Sequence, residues 1–326
     1  MKHKQSGNPF KSHKFPLRVR LFFATMRKLF GILGWVAPKL TGKLALRLFM
    51  TPPRFPSPRR ERLAVQNSHL QFQQINGQQI AVYRWGEGEP ILFSHGWGGR
   101  GSHFHALVDI LVEAGYQAVT FDAPAHGQSS GKRTNMLEVT NTLVTLAESL
   151  GPLKAVVGHS FGSGIALLAM NRFQIAAEKL ILFSCFDDIY WVTDQFGEAF
   201  GMNPEVIGAM RDEAQRRYAK QLGRAWQWRD LSPMKTIQTI EHKILLLHDR
   251  EDLEVPYRHA ENLLAVAAQA RLHTTSGLGH KKILRDQSCL QTCLEFIQQP
   301  LGPVNTNPMR PVANSRGSTD DQNHQQ

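Results

Sequence analysis

Residues Val156-Val-Gly-His-Ser-Phe-Gly-Ser-Gly164 place a serine at the centre of a Gly-x-Ser-x-Gly pattern, directly after a short apolar strand. The run decides the fold because it dictates how the chain must bend. Gly158 and Gly162 lie two residues either side of Ser160, and a sharp strand-to-helix turn brings those positions too close for larger side chains. Lys154-Ala-Val-Val157 supplies the strand, and Gly164-Ile-Ala-Leu-Leu-Ala-Met170 supplies the helix. The pattern alone is common by chance, so its weight comes from this setting. It makes Ser160 a candidate nucleophile at the tip of a turn.

Such a serine needs a base, and the base needs an orienting acid. Gly277-Leu-Gly-His280 follows the strand-like Arg271-Leu-His-Thr-Thr275 and precedes a helical pattern from Lys281. Its glycines let a loop turn back over the sheet edge with an imidazole at its end. Upstream, Ile244-Leu-Leu-Leu-His-Asp-Arg-Glu-Asp252-Leu-Glu-Val-Pro256 reads as a buried strand followed by an acidic loop. Singly these are weak signals, since a lone histidine is more often structural and an acidic loop is usually solvated. Jointly, the order Ser160, Asp252, His280, each after a strand, is that of a triad carried on the strand ends of a parallel sheet.

The rest of the chain alternates to match. Leu70–Ile75 and Gln78–Arg84, joined through Asn76-Gly77, read as a β-hairpin. Strands near 91–94, 117–122, 154–158, 180–185, 243–248 and 271–275 then alternate with helical patterns. That predicts a mostly parallel eight-stranded sheet flanked by helices, opening with antiparallel strands. The alternation fails between about 187 and 240, a stretch rich in aromatic and charged residues, including Tyr190, Trp191, Phe196, Phe200, Tyr218, Trp226 and Trp228. Pro204 to Tyr218 reads there as a helix with proline at its start.

At this point several separate motifs resemble the α/β-hydrolase superfamily, of the serine esterase and lipase kind, over residues 69–299. His95-Gly-Trp-Gly-Gly99 resembles its oxyanion loop, Phe121-Asp-Ala-Pro-Ala-His-Gly-Gln-Ser129 its Asp-x-x-x-x-His-Gly-x-Ser segment, and Gly158–Gly162 its nucleophile elbow. The resemblance implies an α/β-hydrolase fold with a helical cap at about 187–240 covering the site. It implies backbone N–H donors at Trp97 and Phe161 for an oxyanion, with His95 and Gly96 as supporting loop residues. In the family pattern the acid precedes Val-Pro by three residues, which selects Asp252 before Val255-Pro256. Asp249 stands where a glycine is common, so Asp249 and Glu251 remain alternative acids, as do Asp187 and Asp188 after strand Leu180–Ser184. The implied activity is a serine hydrolase acting on a carboxylic ester or thioester, with a small or acyl-chain substrate and no cofactor. An aminopeptidase-like hydrolase and a non-catalytic ligand-binding protein on the same fold are the alternatives. No histidine spacing suits a zinc site.

Charge divides the chain unevenly. Residues 1–62 hold 15 Lys plus Arg and one acid, Glu61, so they carry +14 while the whole chain carries +11. The expected organisation is a basic amphipathic arm (1–62), a hydrolase domain (63–299) and a polar, disordered tail (300–326). Within the arm, Val19, Phe22, Phe23, Met26, Leu29, Phe30 and Leu33 share one helical face, with Arg20, Arg27 and Lys28 opposite. Lys39, Lys43 and Arg47 form a second stripe. The arm could rest on an anionic membrane surface through residues 17–50, or dock on the hydrolase body. It lacks any recognised nucleic-acid-binding motif, which argues against that partner. Its apolar runs are too short and too interrupted for a secretory signal or a membrane span. With three cysteines, an odd number, the expected compartment is the reducing cytoplasm, with a peripheral position on the inner membrane face as the arm's contribution.

Overall fold

The computed structural model describes residues 17–222 and 226–300. The tail from 301 onward and the first 16 residues of the arm lie outside the described residues, as does the Val19 side chain. Helices α1 (Leu17–Val36), α2 (Pro38–Phe49) and α3 (Arg59–Gln66) precede the sheet. Its strands are β1 (His69–Ile75), β2 (Gln78–Trp85), β3 (Pro90–Ser94), β4 (Gln117–Phe121), β5 (Ala155–His159), β6 (Lys179–Phe183), β7 (Lys243–Asp249) and β8 (Ala270–Thr275). Helices α4 (His105–Glu113), α5 (Met136–Leu150) and α6 (Phe161–Leu168) follow β3, β4 and β5. The segment after β6 carries α7 (Ile189–Phe200), α8 (Pro204–Leu222) and α9 (Pro233–Thr236). Then α10 (Arg258–Val266) follows β7, and α11 (Gly279–Lys282) and α12 (Gln287–Gln298) follow β8.

The strands lie in the order β1-β2-β4-β3-β5-β6-β7-β8. The hairpin closes with Ile75 opposite Gln78, and Asn76 (φ 51°) and Gly77 (φ 75°) take the left-handed conformations that a tight two-residue turn requires. Strand β2 runs antiparallel to β4, and every pairing from β4 to β8 is parallel. The mostly parallel, eight-stranded sheet with helices on both faces and a helical insertion after β6 is therefore the fold that the sequence pattern implied.

Continuous apolar runs in the central strands follow from burial on both faces. Leu92, Val119, Val156, Leu180, Leu182 and Leu246 point into one cluster with α5, α6 and the cap. Their neighbours Ile91, Phe93, Val157, Ile181, Phe183 and Leu247 point into the other, against α4 and α12. Cys185, Cys289 and Cys293 are unpaired and buried. Buried Lys179 reaches the last carbonyls of α12, donating to Ile297 O at 2.5 Å and to Gln299 O, where the negative end of a helix favours a cation.

The arm packs on the cap. Phe23 and Phe30 meet Phe200 of α7 at ring-centroid distances of 5.3 and 6.1 Å, and Phe49 meets Phe196 at 5.1 Å. Arg27 donates from Nε to Ala199 O at 2.9 Å, so a cation sits on the C-terminal carbonyls of α7. Gly42 lets α2 lie directly on α8: a Cβ there would stand 2.6 Å from Ala209 Cβ and 2.8 Å from Met210 N. Of the apolar face read from the sequence, Phe23, Met26 and Phe30 pack into this cluster, whereas Phe22 and Leu29 are exposed.

The Gly42 contact yields a test in which the sign decides. On a free helix, Gly→Ala stabilises by about 1 kcal/mol. Packed against α8, Gly42→Ala should instead cost roughly 1–3 kcal/mol through overpacking. A lowered thermal midpoint is the expected outcome, and a raised one would show that α2 does not rest there.

Candidate active site

Three strand ends converge on the site. Ser160 stands between β5 and α6 at φ 54°, ψ −117°, a conformation costly for any residue with a side chain. The cost is tolerated because neighbours fix the turn from both sides. Ser160 N–H donates to Phe183 O of β6 at 2.9 Å, and Ser163 N–H donates back to Ser160 O at 3.0 Å. Both glycines are demanded by close approach. A Cβ on Gly158 would lie 2.5 Å from Ser163 Cα, and one on Gly162 would collide with the Ser94 carbonyl at the end of β3. Ser160 is left partly exposed at the turn.

Beside this turn lies the His280 segment. His159 donates from Nε2 to His280 O at 2.9 Å, and the two rings stand 4.7 Å apart. His280 Nδ1 bonds Asp252 Oδ2 at 2.7 Å. Asp252 is buried, and its other oxygen accepts from the N–H groups of Glu254 and Val255, both at 2.9 Å. Burial alone would raise this carboxyl, but the His280 hydrogen bond and charge and the Val255 N–H outweigh it and hold it below its ordinary value. An ionised carboxylate on Nδ1 fixes the proton there and leaves Nε2 as the lone-pair nitrogen.

The other acids have different partners. Asp249 accepts from Glu251 N–H (2.9 Å), Thr275 Oγ1 (2.7 Å) and Leu278 N–H (3.1 Å), so it ties the acid loop to the histidine loop through their backbones. Asp187 bonds His259 Nδ1 at 2.5 Å and Asn262 at 2.6 Å. Asp188 caps α7 through Tyr190 N–H and accepts from Ser232. Glu254, which the sequence reading passed over, places Oε2 3.9 Å from His280 Nε2. Its place two residues after Asp252 was its only mark in the sequence.

The loop after β3 lies against the elbow. A Cβ on Gly96 would be 3.3 Å from Ser160 Cβ. His95 accepts Ala123 N–H on Nε2 (2.9 Å) and bonds Gly96 O through Nδ1 (2.8 Å), which assigns the proton to Nδ1. Burial pushes His95 down to about 3, so it is a neutral brace for the loop. Asp122 accepts from Gly101 N–H, Gln128 N–H and Tyr83 Oη, joining the loops after β3 and β4. Phe161 opens α6, so its N–H has no partner within the helix. The Trp97 N–H donates to no described backbone group. The Trp97 and Phe161 rings pack edge to face at 5.1 Å.

The arm reaches this loop too. A Cβ on Gly98 would touch the Pro53 ring at 3.0 Å, Arg100 donates to Phe55 O at 2.8 Å, and buried Glu61 of α3 accepts from Ser102 Oγ at 3.2 Å. No group of three His, Cys, Asp or Glu among the described residues is placed to hold a metal ion.

Burial pushes the Asp249 carboxyl up, and its hydrogen bonds from Thr275, Gly279, Glu251 and Leu278 more than reverse that, leaving it lowered. A depressed folded-state value means the stabilisation is complete above the unfolded value, about 3.9, and is lost as pH falls through the lower folded value. Asp249→Asn should therefore cost roughly 1–3 kcal/mol at pH 7. The gap in thermal midpoint between parent and variant should close as the pH is taken below about 4. A gap independent of pH would mean that the ionised carboxylate is not what holds the two loops.

With this geometry in place, the chain can be set beside known proteins. The alpha/beta hydrolase family matches residues 91–288. A lysophosphatidylserine lipase of Gallus gallus is 26% identical over 243 residues, covering 64% of this chain and 58% of the relative. A non-heme haloperoxidase of Rhodococcus erythropolis is 33% identical over 141 residues, covering 42% and 51%. The chain thus spans between half and three fifths of the length of these relatives. Among solved structures, a bacterial membrane phospholipase A superposes with a TM-score of 0.55 at 16% identity, over 86% of this chain and all of that one. At that identity the likeness is one of fold. Strand order, elbow, His–Asp pair and family match agree, and the chain belongs to the alpha/beta hydrolase family.

Proposed function

We propose that this protein is a serine hydrolase that cleaves a carboxylic ester or thioester through an acyl-enzyme on Ser160. The observation that carries the reading is the 2.7 Å bond from Asp252 to His280 Nδ1 beside a serine held at φ 54°. In the first half-reaction Ser160 Oγ attacks the carbonyl carbon while His280 Nε2 accepts the hydroxyl proton. The C–O or C–S bond then breaks, and the leaving alkoxide or thiolate takes that proton from Nε2. In the second half-reaction Nε2 accepts a proton from water, whose oxygen attacks the acyl carbon. Collapse frees the carboxylic acid and returns the proton to Ser160.

Negative charge grows on the carbonyl oxygen in both halves. The Trp97 and Phe161 N–H groups are the donors assigned to it, and one such donor is worth about 10²–10³ in rate. The positive end of α6 adds to the same field. For substrate class, the lipase name of a curated relative favours an acyl ester, and the apolar, aromatic cap suits an acyl chain. An aminopeptidase-like enzyme would need carboxylates free to clamp an ammonium group. Instead Glu213 bonds Arg216 and Arg217, Asp187 is paired with His259 and Asn262, and Asp188 caps α7.

The purified chain should react with a fluorophosphonate probe and cleave p-nitrophenyl or thioester substrates in an acyl-length series. Ser160→Ala should abolish labelling and lower kcat by about 10⁴–10⁶ with an unchanged thermal midpoint. Near-parent turnover in that variant would place the nucleophile elsewhere. Failure to label or to cleave any of the series would leave the non-catalytic ligand-binding reading.

A further inference from the structure

Helices α1 and α2 are apolar on two sides, and the cap covers only one. At about 100° per residue, the side of α1 turned away from Phe23, Met26 and Phe30 carries Leu21, Phe22, Leu29, Ile32, Trp35 and Val36. These side chains are 46–86% exposed, with Trp35 the most open. Helix α2 adds Leu40 (61%) and Leu44 (45%). Between the two helices runs an apolar groove of about 350 Å³, lined by Met26, Leu29, Leu33, Leu44, Leu48 and Arg47. A continuous exposed apolar surface of this kind marks an interaction site rather than ordinary surface.

Charge identifies the occupant. Arg20, Lys28, Lys39, Lys43 and Arg47 are exposed on the same two helices, and residues 1–60 contain no Asp or Glu. A second copy of the chain docked here would set five cations against five, an uncompensated repulsion. An anionic bilayer satisfies both features at once: apolar side chains enter the acyl boundary while Lys and Arg remain among the phosphates. Trp35 at the end of α1 suits the headgroup level, where an indole finds both an apolar and a wet side. No described helix is long and apolar enough to cross a membrane, so the contact is one of helices lying in the surface.

We infer that α1 and α2 seat the protein on an anionic phospholipid surface. Ile32, Trp35, Val36 and Leu40 enter the lipid, with Lys28, Lys39, Lys43 and Arg47 on the phosphates. The opposite side of the pair grips α7 and α8, and the chain after α2 runs on past Gly98 and Arg100 of the candidate oxyanion loop. Seating therefore brings the cap to the lipid surface, so the ester cleaved is one carried in the bilayer. That last step rests on the proposed hydrolase activity, whereas the seating does not.

The test uses the full chain, with vesicles of phosphatidylcholine alone or rich in phosphatidylglycerol, at low and high salt. Sedimentation with the anionic vesicles is expected, weakened at least tenfold on phosphatidylcholine or in high salt. The variant Ile32→Glu/Trp35→Glu/Leu40→Glu should bind at least tenfold more weakly. Its thermal midpoint and its turnover of water-soluble p-nitrophenyl esters should stay at parental values, while turnover of a vesicle-borne ester falls with binding. Equal sedimentation of parent and variant, or none of the parent at low salt, overturns the inference. So does a parental dimer that the variant dissolves without any vesicle binding, since that gives the surface to a second copy. Vesicle binding in a chain that cleaves no ester would sustain the seating and sink the hydrolase reading instead.

Discussion

The close approach of α6 to the end of β3 is the constraint on which the site depends. Gly162 passes so near the Ser94 carbonyl that no side chain fits, and Gly158 lies equally close to Ser163. Only with both side chains absent can β5 turn directly into α6, and only that turn holds Ser160 at positive φ. Because the contact is with β3, it also fixes the loop that continues from β3. Gly96 then lies against Ser160, and Trp97 lies against Phe161. The candidate nucleophile and the candidate oxyanion donors thus share one steric determinant. The strain at Ser160 is offset by hydrogen bonds to β6 and within α6, so the strand order of the sheet is itself part of the site.

Two carboxylates at the end of β7, two strands along from β5, divide a second task. Asp252 meets the His280 ring, while Asp249 holds the backbone of the loop that carries it. Both are buried, and both ionise more readily than burial would allow, because each is surrounded by donors. A ring held by one carboxylate and a loop held by the other leaves His280 little freedom to rotate or withdraw. His159 adds a third restraint from the elbow side, through the His280 carbonyl. Aspartate at 249 is therefore accommodated by a complete set of local hydrogen bonds.

Most of this was legible locally. Strand limits follow from apolar runs bounded by turn residues, and the Asn76-Gly77 turn, the elbow glycines and the interval from Asp252 to Val255-Pro256 are short-range signals with direct steric or hydrogen-bonding causes. What the sequence hid is long-range. Asp249 looked like one more acid in a solvated loop because its partners, Thr275 and Leu278, lie about 26 to 29 residues on. Arg27 looked solvated, yet it caps a helix more than 170 residues away. Helical periodicity also picks one apolar face per helix, and α1 has two. The face read from sequence straddled both, taking Phe23, Met26 and Phe30 from the docked side and Phe22 and Leu29 from the open side.

That double-sidedness follows from what the cap requires. Helices α7 and α8 turn apolar side chains toward the arm: Phe196, Phe200, Val206 and Met210 all meet it or lie in the core cluster shared with it. Helices α1 and α2 close that surface, with small residues where the approach is tightest: Gly34 against Val206, and Gly42 against Ala209. Had closure of the cap been their only task, the outward arcs would be free to be polar, as on any surface helix. They are apolar and basic instead, so a second constraint acts on them from outside. One pair of helices then answers to the cap on one side and to an external surface on the other, and a change felt on the outer side has a packed, direct route to α7 and α8.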